Sequence, residues 1–333
     1  MRTVGPPTLL TAQRFSAASA ALRRDSETAR IELSTGRIAD LPAALGGRIG
    51  EASSLRAALD AIAVRRQGLQ QAGLVAAVSQ RALSDINEGA RSIATDALAA
   101  NGRGDNAALS TAALEARSRI EAAFSSLNAS VAGQFVFSGD ATDRAPLAGA
   151  DQFIADVEAI YAGAATAADL DAALDVYFND VAGGFQTAIY RGGAGSAPTI
   201  EIDGSDRGAF TVRADDPAIR DVLRGLAVIA VAGAAPPSAL RDGALAAAGA
   251  AALIGSDSLV ERRAEIGVEE RRAGEAATGL EDEEAALTEA YNAATARDPL
   301  DAATRLQALE AQLEASLLAT SRLSQLSLAN FLR

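Results

Sequence analysis

The sequence predicts a mainly α-helical protein carrying a small inserted α/β domain, on three observations. A leucine stripe closes the chain, a seven-residue apolar repeat runs through the segment before it, and the middle third exchanges helical periodicity for short alternating runs bounded by glycine.

The leucine stripe comes first. Between Ala302 and Phe331, the residues Leu306, Leu309, Leu313, Leu317, Leu328 and Phe331 fall on one narrow helical face. So narrow a stripe has the form of a coiled-coil seam, although docking on the chain's own core is the commoner arrangement for an amphipathic last helix. At the other end Phe15, Ala18, Leu22, Ala29 and Leu33 recur at heptad-compatible spacing, with Asp25 and Ser26 where one apolar residue is missing. The two stripes suit each other. Gly5, Pro6 and Pro7 break the chain before the N-terminal helix, and Ser34-Thr35-Gly36 predicts its stop, with Gly36 as a left-handed cap.

Inside these ends the pattern is helical, mixed, then helical again. Leu55, Leu59, Ile62 and Leu69, followed by Val75, Val78, Ala82, Ile86, Ile93 and Ala97, predict a long helix that tolerates Gly68, Gly73 and Gly89. The stretch Asn101 to Asn106 interrupts it, and Leu109, Leu114, Ile120, Phe124 and Leu127 resume the period. "GQFVFSGD", Gly133 to Asp140, is a β-type run, and two short helices follow near 151–162 and 167–180. Ile200 and Ile202 against Phe210 and Val212, across a glycine-containing turn, predict a β-hairpin. Helix returns at Asp216-Pro217 and, after Pro236-Pro237, continues to the end. There Leu259, Ile266, Ala273, Leu280, Leu287 and Ala294 recur every seven residues, while Arg263, Glu270 and Glu284 occupy companion positions, so the seam has one row.

Composition removes most catalytic chemistry. The chain has no Cys, His, Trp or Lys, so all 30 basic residues are arginine. Zinc and haem sites, thiol nucleophiles, Schiff bases, Ser-His-Asp triads and P-loops each lack a required residue. No cofactor and no metal site is expected, and the reading is of a non-enzyme. A net charge of −13 argues against nucleic acid and against anionic membranes. No run approaches a membrane span, and Met1 to Leu10 lacks the charged start and apolar stretch of a secretory signal. Length allows about two domains at roughly 150 residues each. With 4% aromatic residues and abundant alanine, thin close-packed helices are expected in place of a thick core.

Four local patterns read as structure before function. Arg103-Gly104-Asp105 reads as a turn between helices, and Asn128-Ala129-Ser130 as a chance sequon. Asp203, Ser205 and Asp206 lack the further ligands of a calcium loop, and Glu281 to Glu284 reads as a solvated helix face.

Both helical ends carry a resemblance. "ELSTGRIADLPAALGG", Glu32 to Gly47, resembles the segment that closes the first helix in bacterial flagellin-family proteins. "LNASVAGQFVFSGDATDRAPLAG", Leu127 to Gly149, is similar to the corresponding stretch of the family's hook-associated, junction-type members. "AEIGVEERR" and the run from Asp298 to Leu332 resemble the family's long C-terminal helix pair. The resemblance covers roughly the first 145 and last 80 residues, with the variable outer part of the family standing between them.

The resemblance implies a flagellin-like rod of long helices with a terminal coiled coil. Residues 1–40 would form an N-terminal assembly helix, 41–133 and 216–297 the two halves of the rod, 134–215 an inserted outer domain, and 298–333 a C-terminal assembly helix. The implied function is a structural adaptor at the hook-filament junction of the bacterial flagellum. It would be exported without a cleavable signal peptide through the flagellar type III channel and would act outside the cell in motility. Implied partners are copies of itself in a ring, a hook-side hook-associated protein, flagellin, and an export chaperone binding a terminal segment. The assembly interface would comprise the two apolar stripes, which by this resemblance pair as a coiled coil only after assembly. Flagellin itself is the alternative reading, a non-flagellar coiled-coil scaffold a further one. A carboxylate-dependent wall hydrolase would need two convergent acids in a cleft, and no acidic pair is so placed by the sequence.

The residue inventory predicts that the purified chain retains no stoichiometric zinc and hydrolyses no wall polymer. Metal analysis and a turnover assay check this; turnover abolished by a single carboxylate substitution would overturn it.

Overall fold

The computed structural model describes residues 9–46, 49–196, 199–204 and 206–331, and the side-chain surroundings of 9–12, 45 and 323–331 lie outside that description. The chain is mainly α-helical and divides into two compact units, Met1–Ala63 with Glu281–Arg333, and Val64–Leu280.

The first unit contains α1 (Leu9–Thr35), α2 (Leu41–Leu45), the opening turns of α3 (Ile49–Arg103), the closing turns of α8 (Ala239–Thr295), and α9 (Pro299–Phe331). α1 ends where its sequence places the stop: Gly36 adopts φ +66° and its N–H donates to the Glu32 carbonyl at 2.8 Å. A side chain at that φ would be strained, so glycine releases the chain there at little cost. Asp40 then caps α2 by accepting the Ala43 N–H at 3.0 Å.

In the second unit α3 and α8 run antiparallel. Gln80 Nε2 donates to the Arg263 carbonyl at 2.8 Å, Asn87 Nδ2 to the Ser256 carbonyl at 2.5 Å, and Asn101 Nδ2 to the Asp242 carbonyl at 2.9 Å. The donors are 7 and 14 residues apart and so are the acceptors, so three amides form rungs on one heptad line. The seven-residue row on α8 is buried at Leu259, Ile266, Ala273 and Leu280. Alanine and glycine bring further helices close: a Cβ built on Gly225 of α7 (Pro217–Ala232) would lie 2.6 Å from the Ala252 Cβ and 2.8 Å from the Ala248 carbonyl oxygen.

α8 also contains an 18-residue stretch of mean hydropathy 1.5, apolar and long enough by composition for a membrane span, where the sequence was expected to hold none. Of that stretch 44% is buried inside the chain, and Ala244, Leu245, Ala248 and Ala252 are among the buried residues of α8.

The middle of the chain supplies the aromatic core. α4 (Asn106–Leu127) leads to the short hairpin β1 (Ser130–Val131) and β2 (Gln134–Phe135). α5 (Ala150–Gly163), α6 (Ala167–Asn179) and a π-helical turn at Phe185–Ile189 follow. Phe153 of α5 lies 5.2 Å from Phe124 of α4, 5.8 Å from Phe178 and 6.3 Å from Phe185, between ring centroids. Residues 134–215 therefore share their core with α4, and the compact-unit boundaries fall at 63/64 and 280/281. The "GQFVFSGD" run pairs over two residues only, after which Asp140 is wrapped by the following loop, its Oδ1 accepting the Gly195 N–H at 3.0 Å. Tyr190 donates its hydroxyl to the Gly193 carbonyl at 2.8 Å, and Arg213 bridges to Asp215 at 2.5 Å. Burial, with Asp215 nearby, pushes the Tyr190 hydroxyl up to about 12.

The expected hairpin is present as β3 (Thr199–Asp203) and β4 (Asp206–Ala209), with Ile200 opposite Gly208 and a bulge between Glu201 and Asp203. Phe210 and Val212 lie just past β4, so the cross-strand pairing assigned to them is one turn of the alternation too late.

Two glycines give opposite expectations for one chemical change. Gly225→Ala forces a methyl into the α8 backbone and should cost about 1–3 kcal/mol. Gly274→Ala, on α8 with nothing within 4 Å of the new Cβ, should gain about 0.5–1 kcal/mol. Urea unfolding followed by far-UV circular dichroism measures both; equal effects of the two changes would contradict the close crossing.

Candidate assembly interface

α1 and α9, drawn from opposite ends of the chain, pack side by side and antiparallel. Ser19 Oγ lies 3.1 Å from Ser316 Oγ, Arg30 Nη2 donates to Glu310 Oε1 at 3.1 Å, and Glu32 meets Arg305 at 3.8 Å, so rising numbers on α1 meet falling numbers on α9. Ser19, Leu22, Ser26, Ala29 and Glu32 turn inward on α1, at the three- and four-residue spacing of one helical face. Ala302, Leu306, Leu309, Leu313 and Ser316 do so on α9.

The residues expected at the interface all lie on these two helices. Ala29 is fully buried, and Leu22, Leu306, Leu309 and Leu313 are half-buried in the seam. Phe15, Leu33 and Leu317 sit on its flanks and keep 39%, 37% and 45% of their surface exposed, and Ala18 is exposed too. Leu328 and Phe331 have helical backbone within α9, but their side chains lie outside the described residues. The exposure has a simple geometric reason: two helices can enclose one line of side chains, and residues beside that line meet solvent.

Periodicity alone did not find Ser26, Glu32 and Ala302, all buried. The gap noted at Asp25 and Ser26 resolves in favour of the serine, which is small and donates its hydroxyl to the Arg23 carbonyl at 3.0 Å, while Asp25 stays exposed. Glu32 continues the inward face three residues after Ala29 and six after Ser26, but a charged residue there breaks the apolar period.

The contact between the two helices is extended but shallow. The exposed Arg30–Glu310 pair is worth at most about 1 kcal/mol. Among the described residues the contact's fully buried apolar members are Ala29 and Ala302, which carry little area. Among the described residues no group of three or more acidic side chains is gathered as for a metal ion. Asp206, one of the acids considered for calcium, is paired with Arg272, and Ser205 lies outside the described residues. Asp105 is the N-cap of α4, its carboxylate accepting the Ala108 N–H at 3.0 Å, and Gly104 has φ +66°, so the Arg-Gly-Asp triplet is built as a turn. Asn128 donates to the Leu147 carbonyl at 3.1 Å and accepts its N–H at 2.9 Å, which occupies the amide that a glycan would require.

Substitutions separate seam from flank. Leu317→Arg should change the stability of the free chain by no more than about 0.5 kcal/mol, as for an exposed site, whereas Ala29→Arg buries a charge and should cost about 3 kcal/mol or abolish pairing of the helices. Thermal unfolding of each variant distinguishes them, and a silent Ala29→Arg would mean that α1 and α9 do not pair in the free chain. No protein-family model matches this chain, and no curated protein matches it either.

Proposed function

We propose that this chain is a structural subunit of the flagellin family that joins hook to filament in the bacterial flagellum. The observation that supports the reading most is the α1–α9 pair: helices from the two ends of the chain meet, yet leave Phe15, Leu33 and Leu317 exposed beside their seam. A ring of copies would cover these flanks. Each copy would then add modest apolar burial, on the order of 1 kcal/mol for each half-exposed side chain covered, repeated by symmetry around the ring.

In this proposal the long helices form a flagellin-like rod, the terminal pair becomes a coiled coil shared with neighbours, and residues 134–215 are the outward-facing α/β part. The partners are further copies, a hook-side hook-associated protein, flagellin, and a chaperone that holds a terminal segment before export. The site of action is extracellular, and the chain performs no catalysis, takes no cofactor, binds no nucleic acid and inserts into no membrane. An arginine-only basic set and a net charge of −13 agree with that list.

Electron microscopy of cells lacking the protein tests the role. Hooks without filaments, with flagellin shed into the medium, are the expected result. Hooks on cells that make no filament protein at all would identify flagellin instead, and normal flagella would leave the scaffold reading. In cells carrying Leu317→Arg, filament attachment should fail although the subunit is made and folded; motile cells would remove Leu317 from the interface.

A further inference from the structure

The seam between α1 and α9 is polar at one end. Glu32, in the last two turns of α1, is 3% exposed. Its Oε1 accepts the Ala39 N–H at 3.3 Å, and its Oε2 lies 3.4 Å from Arg297 Nε and 3.8 Å from Arg305 Nη1. Beside it the backbone after α1 is tied to the backbone between α8 and α9. Ile38 N–H donates to the Thr295 carbonyl at 2.9 Å, and Arg297 N–H donates to the Gly36 carbonyl at 2.9 Å, on either side of the Arg37–Ala296 bridge. Arg37 Nη2 completes the group by donating to Asn292 Oδ1 at 2.6 Å.

The half of the seam farthest from Glu32 is tolerant of sliding. Along α9 its inward positions there are Leu309, Leu313 and Ser316, and Thr320 follows Ser316 by one turn with another hydroxyl. A slip of one turn, about 5.4 Å, would set Leu313 and Leu317 where Leu309 and Leu313 stood and Thr320 opposite Ser19, while Glu310 would take the place of Leu306 beside the clasp. Glu32 has no substitute under such a slip. Its carboxylate would leave both arginines while staying buried, the situation that makes a broken buried ion pair strongly unfavourable. A polar group at a seam position is also the best-attested device for fixing helix register.

We propose that Glu32, Arg297 and Arg305, with the 36–38 to 295–297 backbone bridge, form a clasp that sets the register of the terminal helix pair. The apolar seam supplies attraction; the clasp, at the Ala302 and Leu306 end, selects among alignments that the Leu309 to Ser316 half accepts almost equally. Phe15, Leu33 and Leu317 are thereby held in one fixed array, whatever surface comes to cover them. The inference concerns the single chain and does not rest on the flagellar reading.

The absence of cysteine makes the test clean. In the full chain, Ser19→Cys with Ser316→Cys reports the observed register, and Ser19→Cys with Thr320→Cys reports the one-turn slip. With Glu32 present, the 19–316 pair should form its disulfide readily under mild oxidation and the 19–320 pair slowly. Glu32→Ala should bring the two rates close together, and so should Arg297→Gln with Arg305→Gln, which leaves the carboxylate in place without its partners. Helix content, followed by circular dichroism, should stay unchanged in these backgrounds. An undiminished preference for 19–316 in both would overturn the proposal. Loss of both disulfides together with helix content would also overturn it, because the clasp would then be needed for pairing at all and not for its register.

Discussion

Close approach of helices lined with alanine and glycine is the constraint on which the remaining structure depends. Gly225 meets Ala248 and Ala252 with no room for a methyl group, and a Cβ on Gly249 would lie 2.5 Å from Leu98 Cγ. Backbones this near bring neighbouring carbonyls within reach of short amide side chains. The rungs from Gln80, Asn87 and Asn101 to the α8 backbone follow from that proximity. Small residues thus contribute little area individually, but they permit buried hydrogen bonds that fix the alignment of α3 on α8.

The two units obtain their order differently. In Val64–Leu280 the aromatic residues are gathered, with Phe124, Phe153, Phe178 and Phe185 in successive contact, and α7 is buried along most of its length. The α1–α9 pair has no such centre. Its buried apolar members are alanines, its leucines are half-covered, and its most enclosed large side chain is charged. Where burial is shallow, pairing strength is low and local opening is accessible, so the specificity of the contact must reside in directional groups. In this pair those groups are concentrated at one end.

How far the sequence reveals this depends on the kind of signal. The row Leu259, Ile266, Ala273 and Leu280 is buried as its period predicts, and the stops at Gly36, Gly104 and Asp216-Pro217 fall at helix boundaries because φ > 0, or a proline at the first helical turn, is a local requirement. Leu114 shows the opposite case. It was read into the apolar face of α4, yet it is 71% exposed, because Ala112, Ala113, Ala116 and Ala123 fill the buried face beside Leu109, Ile120 and Phe124. A period identifies a face; it does not say which small residues complete it. The amide rungs at heptad spacing carry no signal in the apolar period, since a hydrogen bond to a distant carbonyl leaves no mark on local sequence. The same holds for Glu32, whose arginine partners stand more than 260 residues away. The unit boundaries were equally hidden, because they fall inside continuous helices, and Gly279 beside one of them does not interrupt α8.

Those observations bear on how a subunit could be stable alone and still adhesive. A third helix laid on the α1–α9 seam would bury Phe15, Leu33 and Leu317 and remove the partial exposure that a two-helix pair cannot avoid. Had these flanks been filled from within the chain, the pair would be more stable and would offer nothing to a neighbour. Had they been polar, the termini would be soluble and inert. An alanine seam with apolar flanks lies between these limits, because it allows the helices to find each other without satisfying their hydrophobic surface. It also makes alignment a separate problem, since alanine against leucine favours many registers almost equally. A charged residue buried at the base of such a seam answers that problem at some cost in stability.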